Sequence, residues 1–146
     1  MFMVTVQAHY DSAHFLRNYR GKCERLHGHR YVVELALATD ELDAAGIAFD
    51  FVEVKQHLRG VADRLDHTNL NELPPFDTVE PSAENQAKYF YNEMKRLLPP
   101  KMGSAIVYTS NSSGNDDLWR LTLTGATSSG EATQITRTPD ADGEAT

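Results

Sequence analysis

The sequence predicts a single α+β domain, and three observations carry that prediction. Residues 2 to 14 alternate, with Phe2, Val4, Val6, Ala8, Tyr10, Ser12 and His14 in one phase. Residues 27 to 37 alternate again, with His27, His29, Tyr31, Val33, Leu35 and Leu37 in one phase. Two later segments carry apolar residues at helical spacing instead: Phe51, Val54, Leu58, Val61 and Leu65, then Ala83, Ala87, Phe90, Met94 and Leu97. Period two marks strands and period 3.6 marks helices.

Each element has boundary signals. Asp50, with Glu53 three residues on, has the form of a capping box and starts the first helix, which is expected to end near Asp66-His67. Pro74-Pro75 and Pro81 punctuate a loop. The second helix starts near Ser82 and stops at Pro99-Pro100, because proline cannot continue a helix. Residues 104 to 110 and 118 to 124 read as a closing hairpin, which makes four strands in all. From Gly125 on, the chain is rich in Gly, Ser, Thr, Asp and Ala. Such a stretch buries too little apolar surface to offset its ordering entropy. The expected organisation is therefore a domain over 1–124 and a disordered tail over 125–146.

Composition narrows the function classes. A net charge of −7 argues against broad nucleic-acid binding. No apolar run approaches the roughly 18 residues of a membrane span. The first residues read as a strand rather than a signal peptide. The single cysteine excludes an internal disulfide. A cytoplasmic location is the default expectation. The charge is uneven, however. Arg17, Arg20, Lys22, Arg25 and Arg30 place five of the fourteen cations within one short segment, where Glu24 is the lone acid.

The chemistry concentrates around His27-Gly28-His29. Two histidines at i and i+2 on a strand face the same way. His14, if alternation along its strand is not broken by a bulge, could complete a three-nitrogen site. Three protein ligands with one open position describe a catalytic zinc rather than a structural one. Cys23 lies outside that set but near it, and Lys22 and Arg25 would favour its thiolate, although a lone cysteine is more often an inert buried thiol. His9 and His57 read as surface histidines. Asp66-His67 reads equally well as helix-end chemistry or as an acid–base histidine whose tautomer a carboxylate sets. The cationic loop is either a solvated surface or, beside a metal pocket, a receiver for polyphosphate, with Arg17, Arg20 and Lys22 as its candidates.

Five motifs then appear in order: Asp11-Ser12-Ala13-His14; Lys22-Cys23-Glu24-Arg25-Leu26-His27-Gly28-His29-Arg30-Tyr31; Asp50-Phe51; Leu65-Asp66-His67-Thr68-Asn69-Leu70-Asn71; and Pro81-Ser82-Ala83-Glu84-Asn85. Together they resemble the 6-pyruvoyltetrahydropterin synthase family. Three residues between Cys23 and His27 resemble its bacterial branch, the 6-carboxy-5,6,7,8-tetrahydropterin synthases of queuosine biosynthesis. The resemblance implies the tunnelling fold: an antiparallel four-stranded sheet with two helices on one face, assembling as a homo-oligomer, typically a hexamer with sites between subunits. It implies zinc on His14, His27 and His29, Cys23 as proton acceptor, and His67, positioned by Asp66, completing the relay. The implied substrate is 7,8-dihydroneopterin triphosphate. The implied products are 6-carboxytetrahydropterin, acetaldehyde and triphosphate.

The chain departs from the family pattern near its end. Where the family carries a glutamate that anchors the pterin, this sequence has Thr109 in Ile106-Val107-Tyr108-Thr109-Ser110-Asn111. Glu84, Asp116 and Asp117 are the candidate substitutes. A zinc-binding tunnelling-fold protein without turnover, or a lyase of the 6-pyruvoyl type, is therefore the alternative. A folate-pathway variant would carry glutamate in place of Cys23.

Overall fold

The computed structural model describes residues 1–99 in full and the backbone of 104–111, 119–124 and 132–134. In chain order the elements are β1 (Phe2–His14), β2 (His27–Thr39), α1 (Phe51–Asp63), β3 (Thr68–Asn69), α2 (Ala83–Leu97), β4 (Ser104–Asn111), β5 (Trp119–Thr124) and β6 (Ala132–Gln134). The α+β class and the two helices agree with the sequence. The strand count does not. One six-stranded sheet runs in the order β3-β1-β2-β4-β5-β6. The four expected strands are joined by two short ones, and the two-residue β3 runs parallel to β1, so the sheet is not purely antiparallel. A two-residue strand has no period to read, and only its tertiary neighbour makes it a strand. Most of the segment expected to be a disordered tail lies outside the described residues, and its 132–134 pair with β5.

β1 and β2 form a long antiparallel pair without a bulge, from Phe2 opposite Thr39 to His14 opposite His27. Along β1 the side chains of Val4, Val6, Ala8, Tyr10, Ser12 and His14 are buried in turn, while the intervening residues are more exposed. On β2, Tyr31, Val33, Leu35 and Leu37 are buried. Both helices cover this face and share one core with it, through Val54, Leu58 and Val61 of α1 and Ala87, Phe90 and Met94 of α2. Burying each large apolar side chain contributes roughly 1.5–3 kcal/mol. The stripes differ from the periodicity at one end each: Phe51 at the start of α1 and Leu97 at the end of α2 are exposed, whereas Leu98 is buried.

Asp50 caps α1 by accepting from Val52 N at 2.8 Å. Glu53 does not complete a reciprocal box; it lies 3.7 Å from His57 one turn on. α1 stops at Asp63, three residues before the expected end. Residues 64–67 then turn, and His67 adopts a left-handed φ of 55°. This turn is sewn to β1. His67 N donates to Asp11 O at 2.6 Å, and the Ser12 hydroxyl donates to Leu65 O. Beyond it, the Asn71 side chain pairs with both backbone groups of Phe15, at 2.9 Å each. The end of β1 is therefore the point where the loop before β2, the turn after α1 and the loop before α2 meet. Among the described residues, no helix is long and apolar enough to cross a membrane.

Candidate metal centre and flanking dyad

The cross-strand register builds the centre. His14 stands opposite His27, and His29 stands opposite Ser12, one rung along the same face. The three rings form a compact triangle with centroid separations of 4.5 Å (His14–His27), 4.7 Å (His27–His29) and 5.1 Å (His14–His29). One ring nitrogen from each lies within 4.8 Å of the others. Below them, Tyr31 sets its ring edge-on to His14 and His29, and Tyr10 stacks on Tyr31 at 5.1 Å.

Two of the histidines have their tautomers set by backbone. His14 Nδ1 lies 2.8 Å from Pro81 O, and His27 Nδ1 lies 2.6 Å from Arg25 O. A carbonyl can only accept, so each Nδ1 carries the proton and each Nε2 keeps its lone pair. His27 Nε2 is buried and has no hydrogen-bond partner among the described residues. An unpaired buried acceptor costs about 1–3 kcal/mol. Burial, helped by the neighbouring imidazoles, pulls His29 down to about 4 and lowers His14 as well, so both are neutral near pH 7. Three imidazoles with ring nitrogens this close together, two of them with Nδ1 tied to a carbonyl, suit a divalent transition metal. The donor set therefore fits a metal.

Cys23 sits in a short 3-10 turn, Lys22–Glu24, and is half-buried. Its carbonyl accepts from Leu16 N at 2.8 Å, which closes the base of the loop between β1 and β2. Its thiol is not one of the clustered donors.

The second cluster joins Asp11, Asp66 and His67. Asp66 Oδ2 lies 2.8 Å from His67 Nδ1, and Asp66 Oδ1 accepts from Asp11 N at 2.8 Å. The Asp11 backbone N–H, followed by the His67 ring, holds the Asp66 carboxyl below the usual carboxylate range. Arg30 clamps the Asp11 carboxylate with two 2.9 Å hydrogen bonds, and these lower Asp11 too. His67 is exposed, with its ring against the carboxylate that orients it. An open depression of about 550 Å³ runs between His67 and His29, walled by Asp11, Gly28, Thr68 and Asn69.

A model of the family described as 6-pyruvoyl tetrahydropterin synthase matches residues 3–115. The chain belongs to that family. A Bacillus subtilis (strain 168) protein named 6-carboxy-5,6,7,8-tetrahydropterin synthase is 34% identical over 102 residues, covering 66% of this chain and 68% of its own. A Synechocystis protein of the same name is 30% identical over 112 residues, covering 73% and 85% respectively. Among solved structures, Caenorhabditis elegans 6-pyruvoyl tetrahydropterin synthase superposes with a TM-score of 0.67 at 25% identity, covering 86% of this chain and 98% of that one. Plasmodium falciparum 6-pyruvoyl tetrahydropterin synthase shares the fold, with a TM-score of 0.65 at 19% identity.

Set against the sequence expectations, the structure brings His14, His27 and His29 together, and it puts Asp66 against His67. Arg17 is placed differently from Arg20 and Lys22. Its guanidinium donates to the carbonyls of Phe76 (3.0 Å), Asp77 (3.1 Å) and Asn71 (3.4 Å), its backbone N–H donates to Glu80 at 2.8 Å, and its side chain is 28% exposed. It ties down the loop before α2. Arg20 and Lys22 are exposed on the loop between β1 and β2. Thr109 pairs with Val33 on β2, and its side chain lies outside the described residues, as do Asp116 and Asp117. Sequence reading missed the Pro81 carbonyl and Gln86, which is fully buried on α2. A glutamine among helical polar residues carries no signal of burial; its position between Ala83 and Ala87 on the apolar stripe was the available hint.

Proposed function

We propose that this protein is a zinc-dependent 6-carboxy-5,6,7,8-tetrahydropterin synthase, which converts 7,8-dihydroneopterin triphosphate and water to 6-carboxytetrahydropterin, acetaldehyde and triphosphate for queuosine-type 7-deazapurine biosynthesis. The observation that carries the reading is the convergence of three imidazoles, one with an orphaned buried Nε2, together with an Asp66–His67 pair whose histidine lines an open depression with His29. The family relationship and the names of the bacterial relatives support the pterin substrate.

His14 and His27 would hold the zinc through Nε2, with His29 as the third ligand. Bound zinc supplies Lewis-acid polarisation of the oxygens on the substrate side chain. Cys23, as its thiolate, takes a proton from the adjacent carbon. Asp66 keeps the His67 proton on Nδ1, which leaves Nε2 free to accept or return a proton at the open depression. Arg20 and Lys22 meet the triphosphate from the exposed loop. Arg17, engaged with the loop before α2, is not assigned that role. A cytoplasmic homo-oligomer, hexameric by resemblance to the family, belongs to the same proposal.

Thr109 favours a second reading, in which the site holds zinc and a pterin-like ligand without turnover. Threonine cannot accept the paired hydrogen bonds that a carboxylate takes from a pterin edge. Incubating zinc-loaded protein with 7,8-dihydroneopterin triphosphate and weighing the products separates the readings. The carboxytetrahydropterin mass is expected. A 6-pyruvoyl product would move the chain to that branch, and unconsumed substrate would establish the reading without turnover.

A further inference from the structure

We propose that Gln86 is a positioning residue for the metal centre, acting on His14 through the carbonyl of Pro81; the inference rests on the zinc reading of the triad. Gln86 Nε2 donates to Pro81 O at 2.9 Å, and His14 Nδ1 donates to the same oxygen at 2.8 Å. The Tyr10 hydroxyl in turn donates to Gln86 Oε1. Gln86 is 0% exposed and Tyr10 is 1% exposed, so water replaces none of these bonds.

The contacts form a closed circuit. Tyr10 and His14 lie four residues apart on the same face of β1, Gln86 projects from α2, and Pro81 lies in the loop one residue before the Ser82 cap of α2. The orientation of the Gln86 amide is forced. Pro81 O can only accept, so Nε2 faces it, and Oε1 is left for the tyrosine. The carbonyl that sets the His14 tautomer is thereby fixed from a rigid helix, not left to a proline-containing loop. A ring that can rotate or exchange tautomers presents its Nε2 lone pair to the metal only part of the time. Partners that orient metal-bound histidines typically change metal affinity by 10–100-fold when removed.

Gln86 could also serve only the packing of α2 on β1, and the variants are chosen to separate the two roles. Gln86→Leu removes its hydrogen bonds to Pro81 O and from the Tyr10 hydroxyl, and leaves that hydroxyl buried without this acceptor. A double variant, Tyr10→Phe with Gln86→Leu, removes the stranded hydroxyl as well; replacing both partners by apolar groups is close to neutral for stability. Tyr10→Phe alone keeps the bond from Gln86 to Pro81. For each full-length protein, the zinc dissociation constant is measured by chelator competition, and thermal unfolding is measured on the metal-free form.

Zinc affinity is expected to fall about tenfold in both Gln86→Leu and the double variant, and to stay within about twofold of wild type in Tyr10→Phe. The thermal midpoint is expected to drop in Gln86→Leu and to recover in the double variant. Zinc affinity that recovers together with stability, or that never changes, would overturn the proposal while leaving the triad intact. Wild-type protein that binds no zinc would overturn the triad reading itself, and this inference with it.

Discussion

His14 and His27 face each other directly across the β1–β2 pair with ring centroids 4.5 Å apart, and each points Nδ1 at a backbone carbonyl. The carbonyls come from different places, Pro81 before α2 and Arg25 before β2. The cross-strand pair is therefore held from both sides, each ring by its Nδ1.

Removing two members of the triad should remove the metal. The double variant His27→Ala, His29→Ala is expected to lose the zinc that wild type binds at about one per chain. Metal analysis after gel filtration measures this. Undiminished zinc in a folded variant would reassign the ligands.

Cys23 should be separable from the metal, because its thiol is not among the clustered donors. Cys23→Ala is expected to keep wild-type zinc content and lower turnover by at least about 10²-fold, the scale of losing a positioned acid–base group. Single-turnover kinetics on zinc-loaded protein reads the difference. Turnover close to wild type would leave His67 as the sole candidate base.

Arg17 and Arg20 should fail in different ways. Arg17→Ala breaks a latch of hydrogen bonds to carbonyls. It is expected to cost about 1–3 kcal/mol of stability, at the lower end because the side chain is partly exposed. Arg20→Ala should leave the unfolding curve unchanged and weaken binding of inorganic triphosphate, with the binding itself declining as salt is added. Denaturant titration and calorimetry report the two effects. A loss of triphosphate affinity confined to Arg17→Ala would reverse the assignment.

Acid should destabilise the metal-free protein through its histidines. Burial lowers His14 and His29 in the folded state, His29 to about 4, against 6.5 for an ordinary histidine. Between those values the unfolded chain binds more protons than the folded one, so stability falls as pH drops from 6.5 towards 4 and is complete above 6.5. Asp11 and Asp66 are also lowered, and their contributions are lost only below the ordinary value of 3.8. Urea midpoints from pH 4 to pH 8 should show the first decline, and His29→Gln should make it shallower. An identical slope in the variant would show that His29 does not carry it.

Thr109→Glu tests the missing anchor. A carboxylate there would accept two hydrogen bonds, each worth roughly 1.5–3 kcal/mol with charge assistance. Pterin affinity is expected to rise by at least tenfold, as measured by fluorescence titration. No gain, in a wild type that already turns over, would place the anchor on another acid such as Glu84.

The residues by themselves determined the long strands, the two helices and the histidine triad. Period-two alternation states which side chains share a face, and a hairpin pairs its strands in the simplest way, so His14, His27 and His29 are legible as one cluster in the sequence. Tertiary structure decided what surrounds that cluster. Arg17 looked like one more cation of a basic loop, and only the docking of residues 71–80 made it a latch. Gln86 looked like a polar helical residue, and only the closure of α2 over β1 buried it against Pro81 and Tyr10. The two residues of β3 carry no period, yet they pair with Ser12 and Ala13, and the turn before them ties Asp66 and His67 to Asp11 near the end of β1. Alternation and capping are local and can be read along the chain. Hydrogen bonds between residues fifty or more positions apart depend on which surfaces meet, and that is decided only when the sheet and helices pack.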